Sequence, residues 1–338
     1  MVPADEAFDG TWPYEAHFFE GNGFRQHYVD VARTDGAIAV DTVGGTDNVI
    51  VCLHGEPTWG YLYRNLIPQL SRAGRVIVPD HMGFGKSETP QDRDYSIREH
   101  SDNLERLLLD LDLRNITLVM QDWGGAIGTS FAVRHPDRIK CLCICNTHAP
   151  WARQPDGPFP SPGHHWVRWA RGDQFEPTIS NLGATVLSVM KRIGFERTDH
   201  VDETWVRAYA SPFPTPESCR GALAFPRAIA DPKTRDFFEE LAETHNVDVL
   251  KAIPAMCIHG EADRAIPVGH AVFRFKSLWP DGPVVTLPGV GHFLQEDAPE
   301  TVAALVAQFV QINNPSGTDL SAQGRAWNET NRWAEDKA

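Results

Sequence analysis

The sequence predicts an α/β protein: an eight-stranded, mostly parallel sheet with helices on both faces and a helical cap inserted into it. Three observations carry that prediction. Short β-rich runs alternate with helical patterns over most of the 338 residues, as in a sheet covered on both sides. The alternation stops between about Thr147 and Pro232, where Pro, Gly, Trp and Arg are dense and no strand-like run occurs. A hydrophobic share of 42% is enough to bury a large sheet, and open α/β sheets with an inserted subdomain reach this length without a second core.

Taken in order, FRQHYVDVA (24–32) and AIAVDTV (37–43) are close enough to form an opening hairpin. NVIVCLHG (48–55), RVIVPD (75–80), ITLVMQ (116–121), IKCLCIC (139–145), PAMCIHG (254–260) and PVVTLPG (283–289) complete the strands. Helices are expected at 61–72, 96–112, 123–135, 267–279 and 298–312. The main domain is therefore expected over 1–146 and 234–312, the cap over 147–233 and a polar tail without chemistry over 313–338. In such a fold the site lies between cap and sheet, at the carboxyl ends of the strands.

Composition narrows the partners. Acidic residues outnumber basic ones by 45 to 31, a formal charge of −14, and no Lys/Arg cluster stands against that field. Nucleic acid and anionic membrane surfaces are thereby disfavoured, and a neutral small molecule is the expected ligand. The amino terminus, MVPADEAFDG, lacks the positive flank and apolar core of a secretory signal, so a cytoplasmic location is expected. No stretch approaches the roughly 20 apolar residues of a membrane span. Cys52, Cys141, Cys143, Cys145 and Cys257 lie in apolar strand-like runs and read as reduced core thiols. The alternate spacing of Cys141, Cys143 and Cys145 reads as one packed strand face, because no His/Cys partner pair sits nearby, and no metal is expected.

The chemistry begins at QDWGG (121–125), which directly follows a strand and precedes a helix. That context matches the nucleophile elbow G-x-S-x-G of α/β-hydrolases, with Asp122 at the nucleophile position and Met120 in place of the first glycine. Asp is also a common helix N-cap, so this segment alone leaves a structural alternative. Two further segments supply the remaining roles in the chain order nucleophile, acid, base. HGEADRAIP (259–267) places Asp263 just beyond the seventh strand, and GHFLQED (291–297) places His292 in a Gly-flanked loop after the last one. HGEPTW (54–59) fits the oxyanion loop, with the backbone N–H groups of Glu56 and Trp123 as donors and a candidate cis bond before Pro57.

An aspartate at the elbow selects the substrate. A serine attacking an sp³ carbon would yield an ether that the protein could not hydrolyse, whereas a carboxylate yields an ester open to water activated by His292. Alkyl halides and epoxides are the candidates. An epoxide oxygen needs a proton, and the cap contains only one tyrosine, Tyr209. A halide needs hydrogen-bond donors alone, and the indole of Trp123 can donate but never accept.

HGEPTWGYLYRN, PDHMGFGKS, NITLVMQDWGG and GHFLQE resemble the corresponding segments of haloalkane dehalogenases, a likeness that covers residues 24–312 and is weakest in the cap. The resemblance implies hydrolysis of a neutral haloalkane to a primary alcohol and halide through a covalent ester on Asp122, with no cofactor. Many members carry Asn after HG as a second halide donor. Glu56 stands here, and cannot donate when ionised. The sequence therefore resembles the branch that uses a cap tryptophan, and Pro177, eight residues on, makes Trp169 the expected donor, leaving Trp166 to packing. The family's alternative acid position corresponds to Asn146, which leaves Asp263 as the acid. An epoxide hydrolase using Tyr209 and a non-catalytic small-ligand receptor stay open as alternatives.

Overall fold

Val49–Leu53 and Ile116–Gln121 are buried at every position, as strands covered on both faces must be, and they form the centre of the sheet. The computed structural model describes residues 2–35, 38–39, 48–154 and 165–313. Its strands are β1 (His17–Phe19), β2 (Gln26–Val31), β3 (Thr34–Asp35), β4 (Ile38–Ala39), β5 (Val49–Leu53), β6 (Arg75–Pro79), β7 (Ile116–Gln121), β8 (Ile139–Cys145), β9 (Ala255–Gly260) and β10 (Val284–Leu287). Eight of them form one sheet in the order β1-β2-β6-β5-β7-β8-β9-β10. β1 and β2 run antiparallel, and from β6 to β10 every pairing is parallel.

The opening hairpin differs from the expectation. β2 pairs with β1, a strand of three residues that is too short to show an alternating pattern in sequence. Ile38–Ala39, within the expected strand 37–43, pairs instead with Thr34–Asp35 in a separate ribbon, and 37 and 40–43 lie outside the described residues. The expected helix 61–72 divides into a 3₁₀ turn at Gly60–Tyr63 and a short helix at Ile67–Leu70. The division falls just before Pro68, which has no N–H to donate back and fits only the first turn of a new helix. Ile97–Asp110 is capped by Ser96, whose hydroxyl accepts from the Glu99 N–H, and buries Leu104, Leu107 and Leu108. Val268–Leu278 and Pro299–Asn313 match the remaining expectations, and the polar tail from 314 lies outside the described residues.

Parallel strands place their carboxyl ends on one edge. The register aligns Leu53 with Met120, Gln121 with Cys145, Cys145 with Ile258 and Gly260 with Leu287. Loops after six strands therefore open onto the same surface. Over it lies the helical insert between β8 and β9, comprising His165–Ala170, Phe175–Ile179, Leu182–Ile193, Glu203–Ala210 and Arg220–Ala228. The next helix, Pro232–Thr244, starts just before the expected return to the sheet at 234.

One buried carboxylate fastens the insert. Glu296 is 2% exposed and accepts from both Nη atoms of Arg64, from the Tyr209 hydroxyl, from His200 Nε2 at 2.9 Å and from the Trp205 indole at 3.1 Å. Burial opposes its charge, but Arg64 and these donors prevail and hold its pKa down at about 2. Glu296→Ala leaves Arg64 buried without a counter-ion and is expected to lower stability by about 3–5 kcal/mol in urea denaturation. Because the carboxyl's pKa is depressed on folding, its stabilising contribution is complete above the ordinary value of 4.5 and is lost as pH falls toward about 2.

Candidate active site

Asp122 follows β7 directly, and its backbone sits at φ 51° and ψ −124°, in a region that L-residues rarely occupy. The turn is held tightly. A Cβ at Gly124 would fall 2.5 Å from the Leu53 carbonyl, so position 124 must be glycine for the helix Trp123–Arg134 to start here. The Asp122 carbonyl accepts from the Thr147 hydroxyl, and its Oδ1 accepts from the Glu56 N–H at 2.8 Å. Glu56 comes to that position through the turn after β5, where the Glu56–Pro57 bond is cis as expected.

His292 and Asp263 complete the arrangement. His292 Nε2 lies 3.3 Å from Asp122 Oδ2, outside hydrogen-bond geometry, and its Nδ1 is 2.8 Å from Asp263 Oδ2. Asp263 Oδ2 also accepts from Asn146 Nδ2 at 2.8 Å, and Oδ1 accepts from the N–H groups of Ala265 and Ile266. Burial favours the neutral acid, but His292 and these donors overcome it and keep the pKa of Asp263 below the usual carboxylate value. Burial likewise disfavours the His292 imidazolium, yet the Asp263 and Asp122 carboxylates outweigh it and raise its proton affinity. Asn146 is thus a partner of the acid; its amide also donates to Gly291 O and its Oδ1 accepts from the Gly260 N–H.

Glu56 behaves differently from the expectation that it is ionised. Its side chain is buried, neither carboxyl oxygen has a hydrogen-bond partner, and burial followed by the Asp122 charge pushes its pKa well above the usual value. Burial thus favours its neutral form.

A cavity of about 480 Å³ opens over Asp122 and is lined by Glu56, Trp123, Trp151, Trp166 and Arg274. A larger hollow of about 580 Å³ beside Pro177 and Phe213 faces solvent and contains none of Asp122, Asp263 or His292. Trp151 donates its indole N–H to the Phe238 carbonyl at 3.0 Å. Trp169, the expected facing partner of Trp123, is not brought to the cavity. Its ring packs against Trp166, Phe175 and the Arg192 guanidinium, and Trp166 lines the cavity in its place. Three residues apart, the two indoles occupy neighbouring faces of the helix His165–Ala170, and only Trp166 lines the cavity. Tyr209 is fully buried away from the cavity with its hydroxyl on Glu296, so the epoxide reading loses its proton donor.

The residues that hold His292 in place come from the insert and carried no sequence signal. Gly194, at the end of the helix Leu182–Ile193, has φ 140° and accepts through its carbonyl from the His292 N–H at 2.7 Å. The neighbouring Ile193 carbonyl accepts from the Arg264 N–H at 3.0 Å, next to the acid. The Asp297 carboxylate joins the Gly291 N–H to those of Glu196 and Arg197.

A Cβ at Gly194 would stand 2.8 Å from His292 N. Gly194→Ala is expected to push the base away from its two carboxylates, costing about 1–3 kcal/mol in urea denaturation. NMR titration of the imidazole should show its pKa moving down toward the ordinary 6.5.

Residues 48–299 match the alpha/beta hydrolase fold family. A haloalkane dehalogenase of Psychrobacter cryohalolentis is 32% identical over 301 residues, 87% of this chain and 90% of that protein. A cis-3-alkyl-4-alkyloxetan-2-one decarboxylase of Shewanella oneidensis is 30% identical over 318 residues, 93% of each. Among solved structures, the haloalkane dehalogenase of Paraglaciecola agarilytica has a TM-score of 0.69 at 28% identity, covering 90% of this chain and 96% of that one. With Asp122, Asp263 and His292 brought together at the ends of its parallel strands, the chain belongs to the α/β-hydrolase fold family and, within it, to the haloalkane dehalogenases.

Proposed function

We propose that the protein hydrolyses haloalkanes to a primary alcohol and halide, with residues 147–233 acting as the cap over the site. The observation that carries the reading is an aspartate at the elbow, with an imidazole 3.3 Å from its free oxygen. Asp122 Oδ2 attacks the carbon bearing the halogen, the carbon–halogen bond breaks with its electron pair on the halide, and an alkyl ester remains. Trp123 and Trp166 are the indole donors for the departing halide, since both line the cavity and Trp169 does not. Water then attacks the ester carbonyl while His292 Nε2 takes its proton. The developing charge on Oδ1 falls to the Glu56 N–H, already 2.8 Å away, and to the Trp123 N–H. Collapse releases the alcohol and restores the Asp122 carboxylate, so the net change is haloalkane plus water to alcohol, halide and a proton.

The charges fit this order. In the resting site two carboxylates raise the proton affinity of His292, which suits an imidazolium rather than a base. Alkylation turns Asp122 into a neutral ester and removes one of them. In single-turnover experiments ester hydrolysis is therefore expected to accelerate with pH through a His292 pKa lower than that of the free protein. An equal pKa in the two states would break this account.

Incubation with bromoalkanes should release bromide and acid. His292→Phe should slow ester hydrolysis by about 10²–10⁴-fold and leave an alkyl adduct on the peptide carrying Asp122. No adduct in a folded mutant counts against the mechanism. Trp166→Phe should weaken quenching of tryptophan fluorescence by bromide more than Trp169→Phe does. A strained cyclic ester, the substrate type in the name of the Shewanella relative, also presents an electrophilic carbon to Asp122. Carbon dioxide release from a β-lactone with no halide release from any bromoalkane would put that reading first.

A further inference from the structure

Arg274, in the helix Val268–Leu278, is 3% exposed and forms part of the wall of the cavity that contains Asp122. Its Nη2 donates to the carbonyls of Ala149, Pro150 and Ala152, its Nη1 contacts His148 Nε2 at 3.4 Å, and its Nε has no partner. Among the described residues no carboxylate pairs with it. Arg64, also buried, shows what is missing, since it is paired with Glu296, and the half-buried Arg134 is paired with Asp102 and Glu105. Burial alone lowers the pKa of Arg274, to about 10, which leaves it charged at neutral pH. A desolvated cation without a counter-ion is costly unless an anion is supplied from elsewhere, and the space that Arg274 borders is the cavity.

His148 sharpens the site. A guanidinium can only donate, so the Nε2 that faces Arg274 is the acceptor nitrogen and the proton sits on Nδ1, which is buried without a partner. Burial, with Arg274 and His270 nearby, holds the ring neutral. Among the described residues neither Arg274 Nε nor His148 Nδ1 has an acceptor, both are buried in the cavity wall, and no carboxylate pairs with the guanidinium beside them. Asp231 and Glu239 also line the cavity, but Glu239 is exposed with Arg235 at 3.8 Å, and Asp231 lies half-buried at the start of a surface helix. Solvent and salt screen such rim charges over about 8 Å, and they screen a buried guanidinium far less.

We propose that Arg274 and His148 form an anion subsite within the cavity, so that the substrates taken are halogenated chains ending in a carboxylate. This rests on the dehalogenase reading and refines its substrate class. The formal charge of −14 favours neutral ligands at long range, and the buried guanidinium reverses that preference locally.

The test compares ω-bromoalkanoates with ω-bromoalkanols of equal chain length, following bromide release. The acid is expected to show a kcat/KM higher by about 10- to 100-fold, the worth of a hydrogen bond to a charged group. Arg274→Gln should bring that ratio close to one, and Arg274→Lys should keep part of it. Since Arg274 also holds the 149–152 backbone, wild-type protein alone provides a second measurement. Plain alkanoates should bind more tightly than the matching alkanols in tryptophan fluorescence titrations, and this holds even if no halide is released. Release of bromide from both substrates with equal kcat/KM, or a preference kept in Arg274→Gln, overturns the subsite while leaving the dehalogenase reading intact. Bromide affinity that falls in Arg274→Gln while the acid-to-alcohol ratio stays unchanged would assign the guanidinium to the halide product and overturn the carboxylate assignment. No bromide from either substrate, with alkanoate still favoured in binding, would overturn the dehalogenase reading and support the subsite.

Discussion

The left-handed backbone at Asp122 is the constraint on which the rest of the site depends. Holding an L-residue there costs on the order of 1–3 kcal/mol, and the cost is met because β7 lies between β5 and β8 in the middle of the sheet. The reward is a carboxylate that points out of the strand-to-helix turn and can be held from two sides. The Glu56 N–H fixes one oxygen, and His292 faces the other. A relaxed helix N-cap in the same place would turn its side chain back onto the helix and present no nucleophile.

Three carboxyl groups close to one another must differ for the proposed reaction to run, and their surroundings make them differ. Asp263 accepts from Asn146, two backbone N–H groups and His292, and stays ionised. Glu56 is buried with no donor among the described residues, and its pKa is pushed well above the usual carboxylate value. Asp122 accepts the Glu56 N–H on one oxygen and turns the other toward His292, which suits a carboxylate that bonds to an alkyl group through that second oxygen. The upward shift at Glu56 disfavours a second negative charge on the same wall, where it would oppose the departing halide.

Much of this site could be read from the sequence because it is local. Asp122, Asp263 and His292 each follow a strand, and the chain order of their loops is a property of the fold rather than of long-range packing. The Glu56 donor was legible for the same reason. What could not be read depends on contacts between segments far apart in the chain. The phase of one short helix decides whether Trp166 or Trp169 meets the cavity, and spacing to Pro177 carries no information about that phase. The Gly194 carbonyl on His292, the five donors around Glu296 and the unpaired Arg274 are all invisible in a linear pattern, since each residue alone has an ordinary surface reading. The upward shift at Glu56 could not be read either, because it comes from burial and from the Asp122 charge, and neither is visible in a linear pattern.

The central claim is that Asp122 carries the substrate as an ester, and isotope placement tests it without any mutation. A single turnover with excess protein in heavy-oxygen water, followed by mass spectrometry of the alcohol and of the peptide carrying Asp122, separates the two possible routes. The account predicts unlabelled alcohol and label in the Asp122 carboxylate, because water attacks the ester carbonyl. Labelled alcohol with an unlabelled Asp122 peptide would show direct attack by water on the carbon and would contradict it.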